Sequence, residues 1–182
     1  VFKDRIVNSE SMSKFDNLLL GLLKQNLKFA FNPKDIYYSS VPRLKELKEG
    51  SKEVPYLTRL SKEDLKNIIN GGLVLYEREY TELKIHFLDE VLELVAQLDR
   101  VLSRPGGAVL LAGRSGIAKR TCAYVVGTML RLQIFTPLVT RDYTIREFKK
   151  DLRAAMENAA VAGKPTMLFV EDHHLTQKEF LE

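Results

Sequence analysis

The 182-residue chain carries 28 Lys+Arg against 24 Asp+Glu, a formal charge of +4, with 45% hydrophobic and 29% charged residues. This composition supports a buried core and excludes wholesale disorder, and the length suits one domain, or one domain with a helical appendage. No apolar run approaches the roughly 20 residues of a membrane span, VFKDRIVNSE has no signal-peptide core, and the lone Cys122 rules out an internal disulfide and fits a reducing compartment.

The first residue is Val, so the chain is expected to be a piece of a longer one. The charge is uneven. Residues 1–100 hold 16 basic and 16 acidic side chains, whereas residues 101–182 hold 12 and 8. No acid lies between Asp99 and Asp142, a gap that contains Arg100, Arg104, Arg114, Lys119, Arg120, Arg131 and Arg141. A single-sign stretch inside an apolar, structured segment points to an anionic partner, the alternative being an idle solvated face.

In chain order, Phe15, Leu18, Leu19, Leu22, Leu23 and Leu27 recur at helical spacing behind the Ser-rich NSESMS. Residues 31–60, with Pro33, Pro42, Gly50 and Pro55, read as irregular. Ser61 with Asp64 caps a short helix expected to end at Gly71-Gly72. Ile85, Leu88, Val91, Leu92, Val95, Leu98 and Leu102 form the stripe of a long helix stopped by Pro105-Gly106-Gly107. Ala108–Ala112 is a short apolar run, expected as a strand buried on both faces. A helix over Cys122–Leu132 and a strand over Ile134–Val139 follow. Thr144 and Glu147 then cap a helix bearing Ile145, Phe148, Leu152, Met156 and Ala159, and Thr166–Val170 is a third buried strand. The alternation predicts an α/β fold with a parallel sheet flanked by helices.

Gly113, four residues, Ala118, Lys119 and Arg120 occupy the places of the phosphate-loop pattern GxxxxGK[ST], between strand and helix. Backbone N–H groups and a helix N-terminus form an anion cradle there. Lys119, Arg114 and Arg120 supply positive charge, against the alternative of a plain strand–helix turn. Ala118 stands where the pattern has glycine, and is strained if that position needs a positive φ. Arg120 replaces the hydroxyl residue and cannot ligate Mg²⁺; Thr121 follows one step later.

MLFVED ends a strand in Glu171-Asp172, where phosphate-loop enzymes place one carboxylate for Mg²⁺ and one to orient water. The usual order is Asp then Glu. With Asp172 in the water-orienting place its carboxylate falls one methylene short, and about 1 Å of misplacement costs on the order of 10²-fold in rate. The alternative is a mere capping turn. His173-His174 next to the acids is not expected to share a metal, because neighbours on an extended chain point to opposite sides. Tyr76 and Tyr80 are expected in core packing rather than on a base.

LYERE (Leu75–Glu79), LDRVLSRPGG (Leu98–Gly107), AVLLAGRSG (Ala108–Gly116), KRT (Lys119–Thr121) and FKKDL (Phe148–Leu152) together resemble the fourth AAA+ module of dynein heavy chains. The loop is most similar to the intraflagellar-transport branch of that family, and VFKDRIV (Val1–Val7) resembles the helical lid of the preceding module.

The resemblance implies a helical lid over residues 1–72, with an irregular loop at about 31–60, and the front part of the next P-loop NTPase (AAA+) module over 73–182. It implies an incomplete sheet of order 5-1-4-3-2, in which a strand outside this sequence separates that of Val109 from that of Phe169. It also implies a minus-end-directed microtubule motor ATPase of the cytoplasm, cytoskeleton and cilium, with ATP or ADP and Mg²⁺ as cofactors. Implied partners are neighbouring AAA+ modules, microtubules, intermediate and light chains and transport trains, with neither nucleic acid nor membrane among them. Residue by residue, Gly113, Arg114, Ser115, Gly116, Ile117, Ala118, Lys119, Arg120 and Thr121 form the nucleotide loop. Glu171 and Thr121 stand for metal ligation, and Asp172 with Glu171 for catalysis. The departures at Ala118, Arg120 and the acid pair imply slow or absent hydrolysis, hence a regulatory site. A nucleotide-free scaffold and a freestanding P-loop ATPase remain the alternatives; a nucleic-acid binder, suggested only by the pI near 9.1, has no recognisable motif behind it.

Overall fold

The computed structural model describes residues 5–28, 36–47 and 53–181. They fall into two compact units, Val1–Ile36 and Tyr37–Glu182. The first contains α1 (Ser9–Leu27), whose N-terminus is capped by Asn8 accepting the Glu10 N–H at 2.9 Å. The expected leucine stripe is therefore helical, and the Ser-rich run lies within the helix rather than before it. Of the lid-like Val1–Val7, the first four residues lie outside the described residues.

The second unit begins in the stretch expected to be irregular. Its described parts are ordered: β1 (Ile36–Ser39) pairs with β2 (Thr58–Ser61), and α2 (Val41–Glu46) follows β1. Pro42 is no obstacle, because the first turn of a helix needs no N–H there. Residues 31–35 and 48–52 lie outside the described residues. Buried Asp99 anchors this segment, accepting the Ser40 backbone N–H at 2.9 Å and the Ser40 hydroxyl.

Next comes α3 (Lys62–Glu79), with the capping box expected from Ser61 and Asp64. It does not stop at Gly71-Gly72. A Cβ at Gly72 would lie 2.5 Å from Met129 Cγ, so the glycine permits close helix packing instead of ending the helix. The expected division between residues 72 and 73 thus falls inside α3. The stripe from Ile85 begins outside regular structure, and α4 covers only Asp89–Leu102, with Leu88 as an extended N-cap. α5 (Lys119–Met129) starts and ends three residues earlier than expected, because left-handed backbone at Ala118 and Arg131 brackets it.

Leu65 and Ile69 of α3, Leu92 and Val95 of α4, and Val125 and Val126 of α5 are fully buried in one three-helix core. Each such side chain contributes about 1.5–3 kcal/mol by leaving water. Cys122 is fully buried among them, and burial pushes its thiol up to about 11, as befits a core residue.

Behind the core, β3 (Gln133–Phe135) and β4 (Thr166–Leu168) pair in parallel, Ile134 opposite Met167, as the α/β reading requires. β3 is shorter than expected because Pro137 cannot donate to a ladder. α6 (Ile145–Ala160) joins them, the Glu147 carboxylate accepting the Thr144 N–H at 2.7 Å. Ala108–Ala112 departs most from expectation. It belongs to no ladder among the described residues, and Leu110 is 93% exposed. A strand buried on both faces exists only with neighbours to hydrogen-bond it. Among the described residues β4 pairs only with β3, and Val109–Ala112 and Met167–Val170 both line one open cleft. Among the described residues, no helix is long and apolar enough to cross a membrane.

Candidate functional site

The loop between Ala112 and α5 is built from positive φ. Gly113 sits at φ 151°, where a Cβ would lie 2.8 Å from Ile117 Cδ1, and Gly116 sits at 86°. Ala118, the N-cap of α5, adopts φ 57° and ψ 19°. The strain anticipated at this position is therefore real, at about 1–2 kcal/mol for a left-handed non-glycine residue. The first helical hydrogen bond is Cys122 N–H to Ala118 C=O at 2.8 Å. The preceding N–H groups, of Lys119, Arg120 and Thr121, have no partner inside the helix and form its positive end.

Lys119 Nζ donates to the carbonyls of Gly113 and Arg114, both at 2.6 Å, so the lysine pins the loop that it closes. Arg120 reaches across to the end of the β4 segment. Its Nε donates to Glu171 Oε1 at 2.8 Å, and its Nη2 donates to Glu171 Oε2. This bidentate pair holds Arg120 firmly protonated, chiefly through the hydrogen bond itself.

All but one of the sequence-selected residues line one cleft: Gly113, Ser115 to Thr121, Glu171 and Asp172. Arg114 is the exception: it contributes its carbonyl to Lys119, and its side chain is exposed. Asp172 is exposed at the start of a 3₁₀ turn, Asp172–His174.

That turn brings the two histidines together, contrary to the expectation from an extended chain. Their ring centroids are 4.0 Å apart, and Glu171, His173 and His174 could present ligand atoms within 4.8 Å of one another. The chemistry does not suit a metal. His174 Nδ1 accepts the Glu171 backbone N–H at 3.0 Å, so the proton of the neutral ring sits on Nε2. Burial, then His173, lowers the His174 pKa and keeps the ring neutral.

Mg²⁺ at the nucleotide loop meets the same objection. Arg120 stands at the hydroxyl position and offers no lone pair, and its guanidinium engages one lone pair on each oxygen of Glu171 and sets a fixed positive charge against that carboxylate. Thr121 lines the cleft one helical position further on. The donor set expected from Glu171 and Thr121 does not fit the ion.

Tyr76 is buried, stacked on Tyr80 at 4.8 Å and on Tyr124 at 5.8 Å, and Tyr124 meets Phe169 at 5.0 Å. Tyr76 is a packing residue, as expected, whereas Tyr80, expected in the core with it, is 54% exposed because it caps the end of α3. Sequence reasoning missed the Arg120–Glu171 pair and the His174 contact. The only available signal was that both partners of the ion pair occupied motif places with unusual residue types.

Fold and loop define a P-loop α/β domain. The family described as P-loop containing dynein motor region D4 matches residues 83–182, and the chain belongs to that family. It is similar over its whole length to three proteins called cytoplasmic dynein 2 heavy chain 1. They come from Tripneustes gratilla (39% identical over 188 residues), Chlamydomonas reinhardtii (34% over 183) and Mus musculus (34% over 193). The chain spans 4% of the length of each of these relatives.

Proposed function

We propose that this chain is a segment of a dynein heavy chain, a minus-end-directed microtubule motor ATPase that drives retrograde intraflagellar transport. In this reading residues 1–72 supply the lid of the preceding AAA+ module, and residues 73–182 begin a regulatory nucleotide-binding module with weak or absent hydrolysis. Its partners are neighbouring modules of the same chain and, through parts outside this segment, microtubules, intermediate and light chains and transport trains. Its setting is the cytoplasm, cytoskeleton and cilium. Likeness along the whole of this chain to a segment of heavy chains named dynein 2 supports the motor.

The observation that carries the nucleotide site is the loop itself. Glycines at positive φ, the open N-terminus of α5 and Lys119 converge on one cleft with Glu171 and Asp172. ATP or ADP fits this cradle through its phosphates. Weak hydrolysis follows from the short Asp172 side chain and the engaged Glu171. The test is binding of a fluorescent ADP or ATP analogue to the complete motor domain. Lys119→Ala is expected to weaken binding at this loop by roughly 10- to 100-fold, the loss of hydrogen bonds from a charged donor worth about 1.5–3 kcal/mol. Unchanged binding at the loop would remove Lys119 from the site.

One observation favours a nucleotide-free scaffold instead. Two of the loop's three cations are already engaged within the chain, Lys119 by carbonyls and Arg120 by Glu171. Absence of nucleotide at this loop in the unaltered motor would leave that reading.

A further inference from the structure

Resting on the nucleotide site just proposed, we infer that the Arg120 guanidinium takes the place of the divalent cation, so that the loop binds nucleoside di- or triphosphates without Mg²⁺. The two positions that would share the ion in a phosphate-loop enzyme are the first hydroxyl of the helix and the carboxylate ending the neighbouring strand. Here these positions are Arg120 and Glu171, 51 residues apart in sequence, and their side chains meet directly. A cation already lies between helix and carboxylate, and it is covalently part of the chain.

The geometry suits a double role. Nε and Nη2 lie along one edge of the planar guanidinium and occupy both Glu171 oxygens. Two of its five N–H bonds are used, which leaves three for a second anion. The Arg120 Cα belongs to the first turn of α5, so its remaining donors and the open N–H groups of that turn serve the same end of the helix. Arginine is permanently charged and recognises phosphate in the fork geometry with which it grips a carboxylate.

A metal ion at the same point would have to do without the hydroxyl, share a carboxylate already paired with a guanidinium, and stand against a fixed positive charge. Mg²⁺ also demands near-ideal octahedral oxygen ligation and gives up water reluctantly.

The experiment uses the full heavy chain and reads amide exchange at this loop. Amide hydrogen exchange of the peptide covering residues 113–121 is followed against ADP and ATP, once with Mg²⁺ and once with EDTA. Protection of the loop is expected at nucleotide concentrations that agree within about twofold between the two conditions. In Arg120→Thr, which restores a hydroxyl and frees Glu171, half-protection is expected to need roughly 10- to 100-fold more nucleotide in EDTA than in Mg²⁺. Loop protection in the unaltered protein that EDTA abolishes would overturn the substitution of Arg120 for the metal while leaving the nucleotide site intact. An Arg120→Thr variant indifferent to EDTA would overturn it as well. No protection in either condition would overturn the nucleotide site itself.

Discussion

Ala118 is the residue at which the loop departs most visibly from its glycine pattern, and its φ of 57° shows that the backbone keeps the glycine-type conformation anyway. A methyl group therefore sits where L-residues are disfavoured by about 1–2 kcal/mol, offset in part by the lower entropy of alanine in the unfolded chain. Ala118→Gly is expected to stabilise the loop by about 0.5–1 kcal/mol, seen as slower amide exchange over residues 113–121. Faster exchange would mean that the alanine is accommodated without strain. His174 makes a second residue-scale prediction. Its folded pKa lies below the usual 6.5, first because of burial and then because of His173 and Arg120, against an opposing pull from Glu171. The unfolded turn then binds more protons than the folded one in the window below 6.5. The contribution of His174 is accordingly complete above pH 6.5 and is lost as pH falls towards and through the lower folded value. Exchange of the Glu171 and His174 amides, corrected for intrinsic rate, should rise selectively between pH 7.5 and 5. A flat profile would show that the contact at 3.0 Å carries no linkage.

At the scale of elements, polar and apolar contacts join segments far apart in the chain. Asp99, on the buried face of α4, receives the backbone and hydroxyl of Ser40, 59 residues away, where β1 turns into α2. Asp99→Ala leaves the buried Ser40 N–H without this acceptor. The expected cost is about 1–3 kcal/mol, measured as a shift in denaturant midpoint with local loosening of residues 36–47. An unchanged midpoint would show the pair to be neutral. The same scale explains what the sequence concealed. The Gly71-Gly72 pair has the signature of a helix stop, yet α3 continues because α5 lies close enough to need a bare backbone at residue 72. Ala108–Ala112 has the signature of a buried strand, yet forming one requires ladder partners that its own composition cannot supply.

For the whole molecule, the proposed function is a site that holds phosphate and hydrolyses weakly. The carboxylate nearest the loop is engaged with Arg120, and the next, Asp172, is short and exposed. Glu171→Gln in the complete motor is therefore expected to alter the nucleotide or microtubule dependence of movement while most ATP turnover persists. Steady-state turnover and gliding velocity measured on the same preparation check this. Collapse of turnover to near zero would make this site a principal engine.

Local periodicity and short-range chemistry were enough to locate α1, α4 and α6, the caps at Ser61 and Thr144, the parallel α/β class and the phosphate loop. Each depends on side chains three or four residues apart, or on a short run of uniform polarity, and such contacts exist wherever the chain is placed. Tertiary structure alone decided that α3 runs through two glycines, that Ala108–Ala112 stands apart from β4, that His173 and His174 meet, and that Arg120 closes on Glu171. Those outcomes depend on the path of the chain between distant segments, or on a turn that reverses the usual directions of neighbouring side chains. The loop's sequence pattern was thus legible in the sequence, whereas the ion pair between Arg120 and Glu171 became visible only when residues 51 positions apart were brought together.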